Sequence, residues 1–199
     1  MRYLDELLRL KSGPDLLAWG VFPNAKEVTE SFGAYTAALK YLHLRSHFRF
    51  EDPEVTCLVV GDGRTPRTAA TFAVRTKWAC FSIDPMANPD HVAFKKVVGL
   101  TCVPKKIEDC TPLDFGGPKM LRKTVFVCVH THARMELIRV PLPSMVGPAV
   151  HQVGMILMPC CVPLVPWSSE SVIADYWDWS IHSPCRHITV TFENYGKEV

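Results

Sequence analysis

Short apolar runs punctuate the chain, and the stretches between them carry helical spacing or turn residues. Residues 55–60, 79–83, 100–103, 125–129 and 153–158 are nearly continuous in apolar character, and 186–192 alternates; each reads as a strand. Upstream of them, residues 3–10 form an amphipathic pattern closed by Ser12, Gly13 and Pro14, and a further helical turn is expected over 15–19. From Ala25 to Phe48, apolar Val28, Phe32, Tyr35, Leu39 and Leu42 step by four, three, four and three, the period of a helix with one buried face. Asn24 is placed to cap it. Helices are also expected over 68–76, in part of 89–98, over 134–138 and over 168–179, the last with Ser168 or Ser169 as cap and Glu170 in its first turn. Strands alternating with helices predict an α/β fold, a doubly wound, mostly parallel sheet in a single domain. The division expected is a helical extension over 1–24 before an α/β domain over 25–199.

Composition narrows the class. A chain of 199 residues, 48% hydrophobic and 21% charged, can bury one full-sized core. Its net charge of +2 neither requires nor excludes a nucleic acid partner. The charged start lacks the apolar core of a signal peptide, and the apolar run from Val153 to Val165 is shorter than the about 20 residues of a membrane span. No membrane association is expected. The 8 cysteines lie mostly inside apolar runs without a Cys-x-x-Cys pair, which suits reduced thiols and a cytoplasmic location.

Ligands of open α/β sheets sit outside the carboxyl ends of the strands, so the residues just after each run are the candidates. These are Gly61, Asp62, Gly63 and Arg64; Asp84; Glu108 and Asp109; His130 and His132; and Cys160 and Cys161. Gly61 and Gly63 would let the backbone approach a ligand. Asp84 follows them at about the 20-residue spacing of a ribose-binding acid, although an Asp-Pro pair also starts turns. Glu108 and Asp109 would face an adenine amino group or stand as solvated loop acids. His130, His132, Cys160 and Cys161 could converge on zinc or form a Cys–His pair, but their spacing carries no metal signature and no metal is expected. Tyr176, Trp177 and Trp179 would either stack bases or pack a helix on the sheet, the second being the commoner outcome.

Three segments carry a family resemblance. Val129-His130-Thr131-His132-Ala133 resembles a His-x-Cys-Gly segment, Met158-Pro159-Cys160-Cys161 a Pro-Cys-Cys or Cys-Cys-His segment, and Lys26-Glu27-Val28 a Lys-x-x-Glu-Val segment. All belong to Rossmann-fold S-adenosylmethionine-dependent methyltransferases, in the group that includes tRNA acceptor-stem 2′-O-methyltransferases. The resemblance implies S-adenosylmethionine as cofactor and methyl transfer, with RNA as an acceptor. It implies binding roles for Gly61, Asp62, Gly63, Asp84, Asp109 and His130, and catalytic roles for His130 and Cys160. The family loop reads acid-x-Gly-x-Gly-x-Gly; here Gly61 stands in the acid's place, and Thr65 and Arg67 replace later glycines. A methyltransferase-like binding or scaffold module without activity is therefore the alternative, and a nicotinamide-dependent oxidoreductase a weaker third reading.

Overall fold

The computed structural model describes residues 2–45, 47–131, 151–159 and 169–195. The strands are β1 (Val55–Val60), β2 (Ala79–Ile83), β3 (Leu100–Val103), β4 (Lys123–Val129), β5 (His151–Met158), β6 (Val172–Trp177) and β7 (His187–Tyr195). They form one seven-stranded sheet in the order β3-β2-β1-β4-β5-β7-β6. β1 to β5 run parallel, whereas β7 is antiparallel to both β5 and β6. The order reverses at β1: the chain moves outward to β2 and β3, then returns to lay β4 on β1's other side. The carboxyl ends of β1 and β4 thus border the crevice where such sheets bind ligands.

The helices are α1 (Arg2–Arg9), α2 (Gly13–Ala18), α3 (Ala25–Ala37), α4 (Arg67–Ala73) and α5 (Val92–Lys96). Asn24 caps α3 as expected, its side chain accepting from the Glu27 N–H at 3.1 Å. The single long helix expected over 25–48 is instead α3 followed by a π-helical segment, Ala38–His43. Nor has α3 one buried face: Thr29, Glu30 and Ser31 are as buried as Val28 and Phe32. The sheet covers one side, while α1 and the turn after β6 cover the other. Gly33 lets Ile181 approach; a Cβ there would lie 2.6 Å from Ile181 Cδ1.

Two apolar cores sandwich the sheet. Phe32, Phe72, Trp78 and Val127 fill one side together with Tyr3, Leu7 and Leu16 of α1 and α2. Leu58, Phe81, Phe115 and Phe126 fill the other, beneath the 3₁₀ turns that precede β4. Trp78 stacks on Phe72 at 5.9 Å, and its indole N–H donates to the Arg49 carbonyl at 2.8 Å, so a large ring is buried with its polar atom satisfied. Cys57, Cys80, Cys110 and Cys128 are buried free thiols, and Cys102 and Cys185 half-buried ones. Burial pushes the Cys128 thiol up to about 12.

The helix expected over 168–179 is not formed. A 3₁₀ turn, Ser169–Ser171, leads into strand β6. Val172, Ile173, Tyr176 and Trp177 are β-branched or aromatic, and the half-buried edge of a sheet suits them better than a helix does. β6 also supplies the antiparallel partner of β7, and that partner precedes it in sequence. The helix expected over 134–138, and His132, Cys160 and Cys161, lie outside the described residues. Among the described residues, no helix is long and apolar enough to cross a membrane.

Candidate functional site

The turn between β1 and α4 begins Gly61-Asp62-Gly63. Gly61 and Gly63 have φ of 76° and 80°, the left-handed region where a side chain is strained. A Cβ at Gly61 would also lie 2.8 Å from Thr131 Cβ, so the β1 turn and the end of β4 touch only because Gly61 has none.

Asp62 turns away from the crevice and is buried. Its Oδ1 accepts from the Thr68 N–H at 2.9 Å, and its Oδ2 from the Ala69 N–H at 3.1 Å and the Ser82 hydroxyl at 2.9 Å. Pro66, at the cap position of α4, provides no side-chain cap, so Asp62 serves that purpose from the glycine turn. Burial pushes the Asp62 carboxyl above its ordinary value, against the pull of Arg67 and these hydrogen bonds. Asp62→Ala is expected to lower stability by about 1–2 kcal/mol, the cost of a lost cap. Denaturant unfolding reads the loss, and ligand affinity at the crevice stays near wild type.

Asp84, at the end of β2, is tied to the glycine turn. Its Oδ2 accepts from the Gly63 N–H at 3.0 Å, and its Oδ1 from the Met86 N–H at 2.8 Å. A carboxylate can accept about four hydrogen bonds, so this one retains acceptor capacity toward the crevice. A cavity of about 330 Å³ opens beside it. Gly61, Asp84, Lys105, Glu108, His130 and Thr131 are among its lining residues. Asp109 is not; it sits in the same 3₁₀ turn as Glu108, Ile107–Asp109.

His130 forms the far wall. Its φ of 56° is the only positive value outside glycine among the described residues. A side chain in that region carries about 1 kcal/mol or more of strain and persists where its surroundings fix it. Here the backbone N–H donates to the Met158 carbonyl at 3.1 Å, and Nε2 lies 2.7 Å from Glu30 Oε1. Glu30 is 0% exposed, and its Oε2 pairs with Lys26 Nζ at 3.0 Å. Burial raises the Glu30 carboxyl, but hydrogen bonds from His130 and Ser183, the charge on His130 and the bond from Lys26 outweigh it. The net value lies below the ordinary one. A buried carboxylate therefore orients an imidazole that borders the cavity.

No protein-family model and no curated protein matches the chain. Solved structures do resemble it. Magnesium protoporphyrin IX methyltransferase (ChlM) from Synechocystis PCC 6803, with bound SAM, matches with a TM-score of 0.52 and 10% identity, over 85% of this chain and 81% of that one. The 1,6-didemethyltoxoflavin-N1-methyltransferase of Burkholderia thailandensis, with bound S-adenosylhomocysteine, matches at 0.51 and 12%, over 98% and 87%. A mutant of MtNAS in complex with S-adenosylmethionine matches at 0.52 and 12%, over 98% and 71%. The fold is the methyltransferase fold. At such identities the likeness is one of architecture.

Within the methyltransferase fold, the residues singled out in the sequence divide. Gly61, Asp84 and His130 meet at one cavity. Gly63 joins them through its bond to Asp84. Asp62 and Asp109 do not line it, and Cys160 lies outside the described residues. Glu30 escaped the sequence reading, as did Lys105. The missed signal was the polar trio Thr29-Glu30-Ser31 set between Val28 and Phe32 of the buried stripe, since a buried carboxylate needs a partner.

Proposed function

We propose that the protein binds S-adenosylmethionine at this cavity and transfers its methyl group to an acceptor on the His130 side, with RNA as the acceptor class. The observation that carries the reading is the bond between Asp84 and Gly63, which fixes an acid and a glycine turn together at the switch point of the sheet. When bound, the cofactor would supply an activated methyl group. The turn from Gly61 to Gly63 would pass beneath its methionine portion, and Asp84 would accept from the ribose hydroxyls. Glu108 is better placed than Asp109 to face the adenine. His130, oriented by Glu30, would hold or take a proton of the acceptor. In-line methyl transfer depends on positioning and needs no covalent nucleophile. The free thiols support a reducing, cytoplasmic setting.

A second reading, a cofactor-binding module without catalysis, is favoured by one observation. Asp62 faces α4, and Gly61 occupies the place of the family's loop acid, so the β1 end offers the cavity no carboxylate. Calorimetric titration with S-adenosylmethionine, S-adenosylhomocysteine and NAD tests binding. Saturable binding of the two adenosyl ligands and not of NAD is expected, and no adenosyl binding would end the proposal. Methyl release in the presence of RNA then separates enzyme from module.

A further inference from the structure

The edge strand and the turn beyond it present two tryptophans to solvent. Trp177 is 55% exposed and Trp179 75%. Tyr176, between strand positions of opposite facing, packs instead on Tyr41 with ring centroids 5.5 Å apart. The two indoles lie with centroids 6.3 Å apart and planes 23° from parallel. The Arg186 guanidinium stands 4.9 Å from the Trp179 ring, and among the described residues it pairs with no carboxylate. The acids nearby are engaged. Asp175 meets the Thr189 hydroxyl at 2.6 Å and His187 at 3.0 Å, while Asp178 accepts from the Tyr3 hydroxyl and from the Ser180 N–H at 2.9 Å.

This surface connects to the cavity. The turn is closed by the Asp178 N–H donating to the Arg186 carbonyl at 2.9 Å. It is fastened to α3 where the His182 N–H donates to Thr29 Oγ1 at 3.0 Å. Ser183, next in sequence, hydrogen-bonds Glu30, the partner of His130. A groove of about 370 Å³ lies in the turn itself, lined by Trp179, Ile181, His182, Ser183, Pro184 and Arg186.

We propose that Trp177, Trp179 and Arg186 form a stacking platform for unpaired bases of a polynucleotide strand, on a turn tied through Ser183 and Glu30 to His130. Near-parallel indole faces fit the flat faces of bases of any sequence, and an arginine without a carboxylate partner is available to a phosphate. The platform's link to catalysis rests on the cavity being a methyl-transfer site; the binding role does not.

The test is fluorescence anisotropy with a labelled twelve-nucleotide oligouridylate, its oligothymidylate counterpart, a duplex of equal length, and vesicles containing anionic lipid. Both single strands should bind and the duplex should bind more weakly, while a preference for the uridylate strand would identify RNA. The Trp177→Ala/Trp179→Ala variant should lose about tenfold in single-strand affinity, the scale of one lost base stack. Arg186→Gln should weaken binding and flatten its salt dependence. Both tryptophans are exposed, so unfolding midpoints and S-adenosylmethionine affinity should stay at wild-type values. Equal binding by wild type and the double variant, preference for duplex, or binding to vesicles alone would overturn the platform. A wild type that binds single strands but no adenosyl ligand would leave the platform standing and remove the methyltransferase reading. The reverse pattern would do the opposite.

Discussion

Asp84→Ala should weaken S-adenosylmethionine binding by roughly ten- to a hundredfold in calorimetric titration. The ribose hydroxyls would lose a charged acceptor in a partly dry cavity, a loss of about 1.5–3 kcal/mol. The structure adds a second contribution. Asp84 also receives the Gly63 and Met86 N–H groups, so alanine would release the glycine turn proposed to lie under the ligand. Stability should therefore fall as well, by about 1 kcal/mol, because both N–H groups are near enough to solvent to be rehydrated. Affinity and the unfolding midpoint must be measured together. Unchanged affinity with an earlier midpoint would make Asp84 a turn acid and remove it from the ligand site.

Glu30→Ala should cost about 3 kcal/mol of stability, the low end for breaking a buried ion pair. The low end applies because Lys26 and His130 are only part-buried and can rehydrate once the carboxylate is gone. The pH dependence has a definite sign. The folded-state pKa of Glu30 lies below its ordinary value, so its contribution is present above the unfolded-state value of about 4.3 and is lost as pH falls through the folded one. Wild type should lose stability to acid more steeply than Glu30→Ala below about pH 4. Glu30→Gln keeps the shape and separates packing from charge. If His130 handles the acceptor's proton, that variant should lower kcat and alter its pH profile while leaving cofactor affinity in place. An unaltered profile would confine Glu30 to stability.

Strands buried on both faces were legible because they must be apolar throughout. The run Val55–Val60 is wholly buried, and its one polar residue, Thr56, is a small β-branched one whose hydroxyl donates to the Met120 carbonyl. The edge strand was not legible. β6 alternates between half-buried and exposed positions, and Ser169 and Glu170 before it imitate a helix start. Pairing with β7 decided its form, and that pairing is invisible in a local window. Gly61 and Asp84, which line the cavity, were singled out through their positions at strand ends. Asp62 was singled out in the same way, but the backbone at Gly61 and Gly63 aims its side chain at α4. Glu30 was hidden because its partner is a hundred positions away and meets it only through the packing of α3 on β4.

The place of β7 inside the sheet also constrains how the chain can fold. β1 to β5 can assemble from sequence already made, but β6 has no neighbour until β7 inserts between it and β5. Until then β5 presents an open edge, and its partners are distant, with Met155 opposite Thr191 and Ile156 opposite Val190. An apolar strand with unpaired N–H and C=O groups invites pairing with another molecule. Until the seventh strand arrives, a chaperone would find its target on the exposed flank of the fifth.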